Sequence, residues 1–232
     1  MSFSAYVFDY NGVLVDDEHV HWAAFAEVLR PMGITLSEAD YWEKYLGFDD
    51  LGAFRAVFAD TGRASSESEI RACVEQKKPA YLALAHDRLK GFEGASALLR
   101  ELGRSNVPIG IVSGALRDEI ELGLGVLNAR DVIRFIVSAE DTRASKPDPE
   151  GYNIAKERLR ELGGEEVVSK TLVIEDSMAG IESARAAGLF CLAVAHSYDE
   201  KQLRAAGAVE VVPKIADINA EFLRQLARRV GN

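Results

Sequence analysis

Apolar residues fall into short continuous runs along much of the chain, and each run stops at a polar residue. The runs are Ser4–Asp9, Val107–Ser113, Arg134–Ala139, Thr171–Asp176 and Leu189–Val194, with a weaker sixth at Val209–Pro213. Runs of this length without alternation predict strands buried on both faces, as in a parallel sheet. Between them the apolar positions recur with a period near 3.6. This predicts helices over Glu93–Arg104, Leu116–Leu127, Pro149–Leu162, Met178–Ala187 and Ile215–Val230, with Gly188 as a stop signal. Alternating strands and helices predict a doubly wound, Rossmann-like α/β sheet.

One stretch breaks the rhythm. From about Asp16 to Lys90 no strand is predicted, and helices are expected over His21–Met32, Ser37–Leu46, Leu51–Asp60 and Glu67–His86. An all-helical domain inserted after the first strand follows, with residues 1–15 and 91–232 forming the core and 16–90 the insertion. Val15–Asp17 and His86–Gly91 are the hinge candidates. Trp22, Phe25 and Trp42 are expected to pack the core of the inserted domain.

Composition narrows the picture by exclusion. The 232 residues carry a formal net charge of -10, which disfavours nucleic acid and anionic membrane surfaces as partners. The two cysteines, Cys73 and Cys191, lie in no metal-binding spacing, and Cys191 sits in an apolar run. A reducing cytoplasm is the expected location. The opening MSFSAYVFDY predicts no secretory leader, and no apolar run is long enough to span a bilayer. A monomer is expected.

Ligands of open α/β sheets bind beyond the carboxyl ends of the strands, so the residues ending each strand carry the candidate chemistry. They are Asp9, Ser113 with Gly114, and Glu175 with Asp176; Lys146 precedes a helix opened by Pro147-Asp148-Pro149. Two or three carboxylates, a hydroxyl and a lysine suit a magnesium ion beside a phosphate. Asp9 and Asp176 are the candidate ligands, and Asp9 is also a candidate nucleophile toward phosphorus. Ser113 and Lys146 can donate to phosphoryl oxygens.

These residues resemble the haloacid dehalogenase-like superfamily. Asp9-Tyr-Asn-Gly-Val-Leu-Val-Asp16 is similar to its first motif, DxDGV/T; Ile111–Gly114, Lys146–Pro149 and Ile174–Ser177 are similar to the other three, in the same order. The helical insertion resembles the cap of the branch that includes β-phosphoglucomutase and sugar-phosphate phosphatases. The resemblance implies a magnesium-dependent phosphatase for a small phosphorylated metabolite, working through an aspartyl-phosphate on Asp9. It implies Asp176 and the backbone carbonyl of Asn11 as metal ligands, with Glu175 beside Asp176 or just behind it. Ser113, Gly114 and Lys146 would hold the phosphoryl group, and Lys146 would neutralise Asp9. In the cap, the Tyr45–Asp50 loop with Gly47 is similar to the loop that reads the substrate, and His21, Arg55, Lys77 and Lys78 are substrate-contact candidates. The alternative for the lysines and Arg55 is a solvated helix face. Cap closure would exclude water.

The chain departs from the family at position 11, where Asn stands in place of the general acid and base. An amide cannot carry a proton in this way. Four readings follow: a slow phosphatase; an enzyme for leaving groups that need no proton; substitution by His19 or His21; or an Asp-to-Asn exchange made to trap a substrate. A phosphomutase, or a binding protein with impaired turnover, are the alternatives to a phosphatase.

Overall fold

The computed structural model describes residues 2–231. In chain order the elements are β1 (Ala5–Phe8), β2 (Val15–Asp16), α1 (Glu18–Leu29), α2 (Glu38–Asp40), α3 (Asp50–Asp60), α4 (Glu67–Arg88), β3 (Lys90–Gly91), α5 (Ala95–Arg104), β4 (Ile109–Val112), α6 (Arg117–Val126), β5 (Phe135–Val137), α7 (Glu150–Ser169), β6 (Thr171–Glu175), α8 (Met178–Ala186), β7 (Phe190–Val194), α9 (Glu200–Ala206), β8 (Glu210–Val212) and α10 (Ala220–Val230). The chain divides into two compact units. One holds Asp17–Leu89; the other holds the residues up to Asp16 and those from Lys90 on.

The second of these units is built on a six-stranded sheet in the order β5-β4-β1-β6-β7-β8, with every pairing parallel. The predicted α/β fold class therefore holds. The strands read as continuous apolar runs because both faces are covered: β1, β4 and β6 are buried throughout. On one side Val7, Val112, Val137 and Val173 pack with Tyr152, Ala155 and Leu159 of α7 and Ile181 of α8. Fully burying an aliphatic side chain of this size contributes about 1.5–3 kcal/mol. β1 lies between β4 and β6: the chain runs from β1 outward through β4 and β5, then crosses back to β6, β7 and β8 on the other side. The carboxyl end of β1 is the topological switch point, where a crevice opens in doubly wound folds.

The unit Asp17–Leu89 is helical. Phe25, Leu29, Tyr41, Phe54, Val57, Phe58, Ile70 and Cys73 form its core. Trp22 is partly buried there, with its indole N–H donating to Leu36 O at 3.1 Å. Trp42, expected in this core, is 43% exposed. The reason is local. The helix expected over Ser37–Leu46 is one short turn followed by a π-helical turn at Tyr41–Tyr45. The wider turn buries Tyr41 and Tyr45 and rotates Trp42 outward.

Other boundaries shift for identifiable reasons. The helix expected to end at Leu162 breaks at Gly163–Gly164 and resumes to Ser169. The helix expected from Ile215 starts at Ala220, because Asn219 caps it by accepting from Phe222 N–H, and Ile215–Asp217 is a 3₁₀ turn. The short α9 escaped the periodicity, although Asp199 and Gln202 form a capping box at its start. β2 and β3, two residues each, pair antiparallel.

Candidate active site

Asp9 follows β1, and its N–H donates to Ile174 O of β6 at 2.9 Å, so the sheet ladder itself fixes its position. Ser113 follows β4, Glu175 ends β6 and Asp176 follows it. Asp9, Glu175 and Asp176 are buried, with one carboxylate oxygen of each within 4.8 Å of the others. Lys146 reaches into this cluster. Its ammonium donates to Asp9 Oδ1 at 2.7 Å, Glu175 Oε1 at 2.6 Å and Val112 O at 3.1 Å. All three of its protons are thereby engaged.

Glu175 differs from its two neighbours. Its Oε1 also accepts from the Tyr152 hydroxyl at 2.7 Å, and its Oε2 accepts from the N–H groups of Asp176 and Ser177 and from Ser177 Oγ. Gly180 makes room for it, since a Cβ there would lie 1.9 Å from Glu175 Oε1. Glu175 thus faces the protein and holds Lys146. Asp176 is met from another side, where Ser197 Oγ donates to its Oδ2. Gly12 packs against that same oxygen. A Cβ at Gly12 would sit 2.0 Å from it, and the backbone there has φ +73°, so the turn after Asn11 needs glycine on both counts.

The electrostatics follow from this packing. Burial pushes the Asp9 carboxyl well above the usual range; Lys146 opposes the shift and Glu175 adds to it. Burial, with the charges of Asp9 and Glu175, does the same to Asp176. Burial also works against the charge on Lys146, but the two carboxylates on it more than offset this and hold its pKa above that of an ordinary lysine. Three buried carboxylates against one ammonium leave an excess of negative charge that a hard divalent cation would balance. The clustered donor atoms are all carboxylate oxygens, which suit magnesium. The residues therefore fit the ion.

Asn11 is half-buried, and its Oδ1 accepts from Ser113 Oγ at 3.2 Å. Ser113 Oγ in turn accepts from Ala115 N–H at 3.1 Å. Asp9, Lys146, Glu175 and Asp176 are thus joined by hydrogen bonds, and Asn11 and Ser113 are hydrogen-bonded to each other. Gly114 follows Ser113 and has open space where a Cβ would be.

A family model for haloacid dehalogenase-like hydrolases matches residues 6–194. The chain belongs to the haloacid dehalogenase-like hydrolases. Among its relatives, the validoxylamine A 7'-phosphate phosphatase of Streptomyces hygroscopicus subsp. limoneus is 30% identical over 198 residues, covering 85% of this chain and 88% of that protein. A phosphorylated carbohydrates phosphatase of Thermotoga maritima is 28% identical over 211 residues, covering 90% and 93%. In fold, this haloacid dehalogenase-like hydrolase is similar to CbbY of Rhodobacter sphaeroides in complex with phosphate (TM-score 0.80, 22% identity, 93% of this chain and 96% of that one). It is also similar to β-phosphoglucomutase of Clostridium difficile (TM-score 0.79, 21% identity, 98% of each chain).

The helical unit treats its own candidates differently. Arg55 forms a two-pronged ion pair with Glu67, at 3.0 and 2.6 Å, on an exposed face. Lys77, for which a solvated face was the alternative, is fully buried. It donates to Asp50 Oδ1 at 2.5 Å and His21 Nδ1 at 2.8 Å, and lies 4.5 Å from the centre of the Phe25 ring. An ammonium can only donate, so His21 Nδ1 accepts and its proton sits on Nε2, 3.2 Å from Asp17 Oδ2. Both ring nitrogens of His21 are thus engaged within this unit. Lys78 is half-buried, and Gly47 has φ +84°.

Sequence reasoning missed three residues of the core site: Tyr152, His196 and Ser197. Tyr152 carries no motif signal. His196 and Ser197 lie just beyond the end of β7, and the strand-end rule that found the others would have found them.

Proposed function

We propose that the chain is a magnesium-dependent phosphatase for a small phosphorylated metabolite of the carbohydrate kind, with Asp9 as nucleophile. The observation that carries this reading is the Asp9–Lys146–Glu175 linkage at the carboxyl end of β1, with Asp176 beside it. The names of the relatives, phosphatases of validoxylamine A 7'-phosphate and of phosphorylated carbohydrates, support the substrate class.

Asp9 and Asp176 would hold magnesium together with the carbonyl of Asn11, while Glu175, already bonded to Lys146 and Tyr152, stays behind them as an anchor. The ion, when bound, neutralises charge on the phosphoryl oxygens and lets one anion approach another. Lys146 and Tyr152 fix Glu175, and Lys146 orients Asp9. An oxygen of Asp9 forms a bond to phosphorus as the bond to the leaving oxygen breaks. Ser113 turns its hydroxyl from Asn11, and Lys146 turns a proton from Asp9, to donate to the phosphoryl oxygens as charge shifts. Water then attacks phosphorus, the bond to Asp9 breaks, and inorganic phosphate and a free carboxylate result.

Asn11 positions but transfers no proton, so the leaving oxygen departs without acid help from this residue. Phosphorylated carbohydrates are therefore turned over slowly, and esters with a better leaving group faster. A phosphomutase needs proton transfer in both directions, and Asn11 weighs against it.

The test is magnesium-dependent hydrolysis of p-nitrophenyl phosphate, read together with the intact mass of the protein. The expected result is turnover that stops on chelation, and a phosphorylated form of the protein that Asp9→Ala does not give. Equal turnover by Asp9→Ala would overturn the reading, as would no turnover and no phosphorylation by the unmodified chain.

A further inference from the structure

β7 pairs with β6 in a register that sets Ala193 opposite Glu175, so the residues after β7 emerge beside Asp176. Ala195 N–H donates to Val212 O at 2.9 Å, which anchors this turn to β8. The ring of His196 stacks on Phe92, with centroids 4.0 Å apart and planes 22° from parallel. Ile215 N–H donates to His196 Nε2 at 3.3 Å, so the proton of the neutral ring is on Nδ1, which donates to Gly12 O at 2.7 Å. Ser197 Oγ donates to Asp176 Oδ2. Two consecutive side chains therefore hold the two halves of one site: His196 the turn after Asp9, and Ser197 the carboxylate of Asp176.

We propose that Ser197 is a positioning residue of the metal site, tying Oδ2 of Asp176 so that Oδ1 is presented to the cation, while His196 keeps the Asn11–Gly12 turn in register with it. The inference rests on the reading of Asp9 and Asp176 as metal ligands. A carboxylate at the end of a strand can rotate about its side-chain bonds. One hydrogen bond to a non-ligating oxygen removes that freedom before the ion arrives. Partners of this kind typically change metal affinity about 10–100-fold. The position is set by the sheet register, and Gly12 is what allows the backbone to close on the same oxygen without displacing it.

Binding of Mn²⁺ to the full chain tests this, followed by loss of the free-ion signal in electron paramagnetic resonance. The variants are Ser197→Ala, Ser197→Thr and Asp176→Asn. The unmodified chain and Ser197→Thr are expected to bind, Ser197→Ala to bind about 10–100-fold more weakly, and Asp176→Asn not to bind. Without metal, Ser197→Ala should melt within about 2–4 °C of the parent, the shift expected for loss of one hydrogen bond in a chain this size. If Ser197→Ala binds as tightly as the parent while Asp176→Asn does not, the role of Ser197 is refuted and the metal site stands. If Ser197→Thr fails to restore binding, the effect comes from disturbed packing and the proposal falls. If the parent and Asp176→Asn bind equally or not at all, the metal reading fails and the role of Ser197 with it.

Discussion

Asn11→Asp is the perturbation that bears most directly on the chemistry. Asn11 Oδ1 accepts from Ser113 Oγ at 3.2 Å, and a carboxylate oxygen would accept the same hydrogen bond, so the substitution keeps the geometry and adds a proton carrier. Placed near the buried Asp9, Glu175 and Asp176, the new carboxyl would be held protonated by like charge, which is the state a general acid needs. Acid–base help of this kind is worth about 10²–10⁴ in rate, or about 3–5 kcal/mol of barrier at about 1.4 kcal/mol per tenfold. The gain should depend on the leaving group. With magnesium saturating, kcat/KM is measured for a series running from p-nitrophenyl phosphate to a sugar phosphate. The unmodified chain is expected to slow steeply along the series. Asn11→Asp should gain close to the full factor on the sugar ester and less than about tenfold on the aryl ester, whose leaving group needs little protonation. An equal gain on both esters, or none on either, would refute the argument that Asn11 withholds a proton.

Gly12→Ala should abolish Mn²⁺ binding and lower stability to urea by at least the ~1–3 kcal/mol of a strained backbone, since its Cβ would lie 2.0 Å from Asp176 Oδ2 at φ +73°; binding that survives would mean Asp176 is not a ligand. Lys77→Ala should destabilise the chain by about 2–4 kcal/mol, less than the loss of a fully buried pair because Asp50 is 24% exposed; a double-mutant cycle with Asp50→Ala should recover part of that, and strict additivity would mean the ion pair contributes nothing. Burial raises the pKa of Glu18 against the Tyr41 hydroxyl, which donates to it at 2.7 Å, while Asp17, Lys77 and His21 also act on it. A raised carboxyl favours the fold below its unfolded value and loses that contribution as pH rises through its folded one. Glu18→Gln, which mimics the protonated form, should therefore melt near the parent at about pH 4, close to the free glutamate value, and progressively above it toward neutrality; parallel melting profiles would show that Glu18 titrates normally.

The sheet was legible in the sequence because its strands are buried on both faces, so that no polar residue interrupts IGIV or TLVIE. Asp9, Ser113 and the Glu175–Asp176 pair were legible because they stand where those runs stop. Features set by contacts between distant residues were not. Nothing in QKKP marks Lys77 as buried, since its partners Asp50 and His21 lie 27 and 56 positions away. The π-helical turn at Tyr41–Tyr45 keeps a helix-like polarity pattern while turning Trp42 outward. His196 and Ser197 follow a run that was itself recognised, yet what they touch, Gly12 and Asp176, is a product of strand order rather than of local pattern.

Strand order also bears on why an amide at position 11 is compatible with this site. The order β4-β1-β6 gathers three carboxylates around one lysine whose three protons are already engaged. An aspartate at position 11 would bring a fourth carboxyl, and without metal the like charges around it would hold it protonated above its ordinary range, which costs stability at neutral pH. Asn11 accepts the same hydrogen bond without that cost. The amide therefore gives up proton transfer and in return leaves a site that tolerates the absence of metal better. It follows that Asn11→Asp should become more dependent on magnesium for its folding as it gains rate. If its melting temperature without magnesium matched that of the unmodified chain, charge crowding would not be the factor that the amide relieves.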